Sequence, residues 1–127
     1  MFEEMVSYCQ KALPYEACGL LSGYQATGNT LWKMKNESHN LNRFYMSAGS
    51  IKHAFEHMEE KEEELSGIFH SHPSSPAVPS SFDIENNPYP DLAYIIVSFY
   101  KGKVDVGCFR IKSDGKVLPL ELIVTEE

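Results

Sequence analysis

Gly67-Ile68-Phe69-His70-Ser71-His72-Pro73, followed by Pro79-Ser80-Ser81-Phe82-Asp83, is the densest run of chemistry-bearing residues in the chain. Ser66 to His70 reads as a short apolar strand that runs into a proline-rich loop from Pro73 to Pro79. Side chains two apart on an extended segment point the same way, so the His70 and His72 imidazoles can converge on one ion at the strand's end. Ser80 or Ser81 can cap a short helix reaching about Asn86, with Asp83 in its first turn. The loop is short enough to bring that carboxylate back to the histidine pair. Two nitrogens and one carboxylate oxygen, with a fourth position left for water, make a catalytic zinc set rather than a closed structural one. A His-x-His pair is a weak signal by itself. The residues alone leave a metal centre and an ordinary polar loop equally open.

Working outward, Phe2 to Leu13 carries apolar residues at helical spacing and is stopped by Pro14. Ala17 to Tyr24 reads as a buried strand, and Thr30 to Ser38 as its antiparallel partner after a Thr27-Gly28-Asn29 turn. Ser50 to Glu64 predicts a second helix with Ile51, Ala54, Phe55 and Met58 as its apolar stripe. Ala93 to Tyr100 and Lys103 to Ile111 read as strands joined at Lys101-Gly102, and Val117 to Val124 as a last strand. Helices near both ends of a run of strands predict a mixed α/β sandwich around one curved sheet. No repeat or linker interrupts it, so Met1 to Glu127 is expected to form a single domain.

Composition narrows the function. Hydrophobic residues make up 43% of 127, which suffices for a real core. Eleven basic against eighteen acidic side chains, a net charge of −7, argue against nucleic acid and against anionic membrane as partners. The start is acidic, without the features of a secretory leader, and no apolar run is long enough to span a bilayer. Cys9, Cys18 and Cys108 lie far apart and offer neither a disulfide framework nor an all-cysteine zinc site. A cytoplasmic location is the simplest expectation.

His70-Ser71-His72-Pro73 with Ser80 and Asp83 stands in the order HxHPx6Sx2D, and Glu16-Ala17-Cys18-Gly19-Leu20-Leu21 upstream is similar to an E-x-C-G-x-L strand. Together these resemble the JAMM motif of the JAB/MPN metalloprotease family, in a compact prokaryotic-type form. The resemblance runs from about Pro14 to Arg110 and implies a cytidine-deaminase-like α/β fold. It implies His70, His72 and Asp83 as zinc ligands, Glu16 as general acid/base and Ser80 as the donor to the oxyanion. It also implies a peptidase or isopeptidase cutting after the C-terminal glycine of a ubiquitin-like or sulfur-carrier protein. A zinc hydrolase of small amides and a non-catalytic binding module are the other expectations compatible with the fold.

Four further features have plainer readings. His53-Ala54-Phe55-Glu56-His57 fits the inverted zincin pattern, but its face continues into Glu60 and Glu64 and reads as a solvated stripe. His39 stands alone among polar residues. Cys18 lacks a constellation to activate it and reads as a small buried strand residue. Phe44, Tyr45, Phe99 and Tyr100 could line a peptide groove, though core packing is the commoner fate of such residues.

Overall fold

The computed structural model describes residues 1–25 and 27–124. Helix α1 (Phe2–Ala12) buries Met5 and Cys9 and presents Glu3 and Glu4 at its N-terminus, where acids favour the helix dipole. Strands β1 (Cys18–Gly23) and β2 (Thr30–Met34) follow, then helix α2 (Ala48–Glu60) and the long strand β3 (Glu64–His72). A short helix α3 (Ser81–Asn86) leads to β4 (Ala93–Ser98), β5 (Asp105–Ile111) and β6 (Val117–Pro119). The six strands form one sheet in the order β2-β1-β3-β4-β5-β6. Only β3 and β4 run parallel, joined through α3, and the remaining pairs are antiparallel.

The sheet separates two cores. On one face Met5 and Cys9 of α1 pack on Leu21, Phe69, Ile95 and Val97. On the other, Ala54 and Met58 of α2 pack on Leu20, Ile68, Tyr94 and Ile96. The expected sandwich around a mixed sheet is therefore present as helix, sheet, helices. Alternation along β3 sends Phe69 and Ser71 toward α1, and Ile68, His70 and His72 toward α2 and α3.

Several boundaries differ from the sequence reading, each for a local reason. Helix α2 starts at Ala48 because the Ser47 side chain accepts from the Ser50 N–H. It ends at Glu60 rather than Glu64. Glu62 has φ 57°, and the Glu63 carboxylate is captured by the Ser22 and Thr30 hydroxyls at 2.8 and 2.7 Å. The acidic run after Glu60 is thus not a helix face, and Glu64 opens β3. Within α2, Ala54 and Met58 are buried but Phe55 lies at the rim, edge-on to Tyr89. Strand β2 stops at Met34 because the Asn36 amide takes over the backbone groups that a longer ladder would use. The last strand is only Val117–Pro119, followed by one further bond from the Leu120 N–H to the Cys108 carbonyl at 2.8 Å, and Leu122, Ile123 and Val124 are exposed. No described helix is long and apolar enough to cross a membrane.

Candidate metal centre

The antiparallel register of β1 on β3 assembles the site. Cys18 pairs with His70, and the ladder continues through Ser71 N–H to the Ala17 carbonyl at 3.0 Å and Ala17 N–H to Ser71 Oγ at 2.8 Å. One step further sets Glu16 opposite His72, and both lie on the α2–α3 side of the sheet. The glycine that follows has a steric reason. A Cβ on Gly19 would come within 2.3 Å of the Phe69 ring and of the Trp32 carbonyl, so only hydrogen fits there.

The His70 and His72 Nε2 atoms lie 3.0 Å apart. Asp83 Oδ1 is 3.3 Å from His70 Nε2, and Oδ2 is 3.0 Å from His72 Nε2. All three residues are buried. Asp83 is placed by a capping box: Ser80 Oγ accepts the Asp83 N–H at 3.1 Å, and Asp83 Oδ2 accepts the Ser80 N–H at 2.9 Å. The exposed Ser80 hydroxyl spends only a lone pair on the cap and keeps its O–H free to donate. The proline loop is pinned by Ser98 Oγ, which donates to the Ser75 carbonyl at 2.6 Å. His72 Nδ1 donates to the Pro76 carbonyl at 2.9 Å. That bond turns the unprotonated Nε2 of a neutral His72 toward the other donors.

These residues fit a divalent cation. His72 Nε2 faces Asp83 Oδ2 at 3.0 Å, a contact that needs positive charge between the two atoms, a proton in the metal-free chain and a cation in its place in the loaded one. Nitrogen and oxygen ligands at about 2.0–2.1 Å from one ion stand about 3 Å apart, matching these separations. One atom of each residue lies within 4.8 Å of the others. Two imidazoles and one carboxylate suit zinc among common ions, and three ligands leave the fourth position of a tetrahedral ion for water or substrate.

The electrostatics follow from burial. Burial pushes His70 toward its neutral form, outweighing Asp83. Burial also acts on His72, but Asp83 and the Pro76 carbonyl hold its pKa above the ordinary value. Burial would raise Asp83, yet the bonds from His70 and His72 keep its carboxyl well below the usual range. Glu16 is 7% exposed, and burial lifts its pKa to about 7, with His72 opposing and Asp83 assisting. A carboxyl poised there can accept and return a proton near neutrality.

Residues 1–112 match the family described as prokaryotic homologs of the JAB domain. The chain belongs to the Prok-JAB family. This Prok-JAB domain is 29% identical to the CysO-cysteine peptidase of Mycobacterium tuberculosis over 96 residues, 74% of this chain and 66% of that protein. It thus spans just under two thirds of that relative. A solution structure from Desulfitobacterium hafniense is 34% identical, with a TM-score of 0.88 over 99% of this chain and 89% of that one. The crystal structure of a JAB1/MPN domain protein from Archaeoglobus fulgidus is 21% identical, with a TM-score of 0.59 over 96% of this chain and 93% of that one, a likeness of fold.

Around the metal centre stand Phe44, which the sequence offered only as a groove residue, and Tyr94 and Asn36, which it did not mark at all. Phe44 stacks on the His70 ring at 4.8 Å, and Tyr94 meets it edge-on at 5.2 Å, which completes its burial. Asn36 binds the Glu16 and Arg43 carbonyls through Nδ2 and the Ser38 and Tyr45 N–H groups through Oδ1. It fastens the Phe44 loop to the backbone of Glu16. An asparagine in a polar stretch carries no signal for such a role. Phe99 is buried in the α1 core, while Tyr45 and Tyr100 are exposed. Cys18 is wholly buried and its thiol is pushed up to about 12 by burial, so it is no nucleophile. His39 is exposed.

Proposed function

We propose that this chain is a zinc-dependent peptidase of the isopeptidase type, cutting after the C-terminal glycine of a ubiquitin-like sulfur-carrier protein. The observation that carries the reading is the convergence of His70, His72 and Asp83 on one point, with Glu16 buried beside them within reach of the His72 and Asp83 charges. His70, His72 and Asp83 hold the ion. Zinc there supplies Lewis-acid activation of water and of the scissile carbonyl. Glu16 takes the proton from the attacking water and returns it to the departing amine. Its raised pKa suits both transfers. The free Ser80 O–H donates to the developing oxyanion. Phe44 and Tyr94 keep bulk water from the His70 side.

The substrate follows from access and from kinship. With both histidines and Glu16 nearly sealed, a folded protein reaches the site only by a thin, extended tail. Glycines suit such a tail, having no side chain to clash with the walls. The CysO-cysteine peptidase resemblance supports a sulfur carrier, in which the amine released is a single amino acid or a conjugated partner. The test is a small ubiquitin-like protein fused through Gly-Gly to a reporter, beside fusions with Val or Phe before the scissile bond. Selective cleavage of the Gly-Gly fusion is expected. Equal cleavage of all three, or hydrolysis of small amides alone, would refute the carrier assignment.

A further inference from the structure

Away from the metal centre, a second pair of imidazole nitrogens faces each other. His53 and His57 lie one turn apart on α2, with their Nε2 atoms separated by 3.1 Å. The corresponding distance between His70 and His72 is 3.0 Å. Glu60 Oε2 sits 3.3 Å from His57 Nδ1. A carboxylate only accepts, so the neutral tautomer of His57 that this contact selects has its proton on Nδ1 and its Nε2 lone pair toward His53. Trp32 stacks on the His57 ring, with centroids 6.3 Å apart and planes 22° apart. Trp32 is itself fixed, because its Nε1–H donates to Ser22 Oγ at 2.7 Å and that hydroxyl donates to Glu63. The ring of His57 is therefore held from two sides, yet its side chain is 43% accessible and His53 is exposed.

We propose that His53 and His57 form a second, solvent-facing cation site that takes copper(II), nickel or zinc. Two histidines four apart on a helix put both donors on one face, the spacing that lets one ion bind both. Donors at about 2.0–2.1 Å from an ion stand about 3 Å apart, as these nitrogens do. Imidazole nitrogen favours copper, nickel and zinc over magnesium and calcium, which seek oxygen. Glu56 and Glu60 share the helix face and add attraction for a cation. With two protein donors and open remaining positions, the site is weaker than the buried one. It fills only when metal exceeds one equivalent per chain, and copper binds more tightly than nickel or zinc.

Trp32 is the sole tryptophan of the chain and lies against His57, so it reports on the site directly. Zinc-loaded protein, with the buried centre filled, is titrated with a copper(II) salt while indole emission is followed. Saturable quenching with one further equivalent is expected, reversed by excess zinc. Glu60→Gln should weaken copper binding by about tenfold, the lower end of the 10–100-fold effects of partners that orient a ligand histidine. His53→Ala and His57→Ala should each weaken it more, and His39→Ala should leave it unchanged. Circular dichroism checks that the helical variants fold. Unsaturable quenching, or equal quenching in wild type and the His53→Ala/His57→Ala double variant, overturns the proposal. None of these outcomes depends on whether the buried centre is a peptidase site.

Discussion

Replacing Glu16 by glutamine should stabilise the metal-stripped protein at alkaline pH. Burial raises the Glu16 pKa from its ordinary 4.5 to about 7. Between those values the folded chain holds a proton that the unfolded chain has released, so stability falls as pH rises across that window and levels off above it. At about 1.4 kcal/mol per pKa unit, the separation amounts to about 3 kcal/mol at pH 8. Glu16 is only 7% exposed, so solvent screening removes little of this. A glutamine has no such dependence, and any cost of burying its amide is the same at every pH. The assay is urea unfolding of both stripped proteins at pH 4 and pH 8. With a urea slope of about 1.5 kcal/mol/M, the variant's midpoint should gain about 2 M on the wild type between the two conditions. Zinc on His70, His72 and Asp83 sets positive charge beside Glu16, so reloading should shrink the gain. A midpoint difference that is the same at both pH values would refute the argument.

Four other outcomes are expected. His70→Ala, His72→Ala and Asp83→Ala should each lose the single tightly held zinc by metal analysis after dialysis, while the His53→Ala/His57→Ala double variant keeps it. Ser80→Ala should lower kcat by about 10²–10³ if its hydroxyl is the sole oxyanion donor, and calorimetry should find about 1 kcal/mol less stability from the lost cap. Asn36→Ala should retain zinc but lower kcat, because the Glu16 carbonyl and the Phe44 loop lose their shared anchor; Asn36→Asp, which keeps only the acceptor, should fall between. In the zinc-loaded enzyme kcat/KM should rise with pH to a midpoint below about 7 as Glu16 gives up its proton, and acid should strip the metal by protonating the histidines.

Existence of the elements was legible from periodicity and punctuation, while their ends were decided by side chains acting on backbone. Ser47 opens α2 earlier than its apolar stripe does. Asn36 closes β2, and Glu63 pulls the end of α2 toward Ser22 and Thr30. The short range of the HxHPx6Sx2D segment made the strand, loop and capped helix readable together, since Ser80 and Asp83 cap one another within three residues. Phe44, Asn36 and Tyr94 reach His70 or Glu16 only through tertiary packing, and their types and spacing carry no local mark of it.

Because side chains alternate along a strand, sliding β1 by one residue against β3 would leave most pairing intact, yet would swing Glu16 into the α1 core and offer Ala17 to the metal centre. Misalignment would therefore switch the chemistry off completely rather than dull it. Gly19 guards against that slip from the opposite face of the sheet, because the Phe69 ring closes over it where any larger residue would collide. A methyl group at Gly19 would touch neither the ion's ligands nor the substrate. Its damage would be to alignment, leaving molecules that still fold as a sheet but have no acid where the water must be deprotonated.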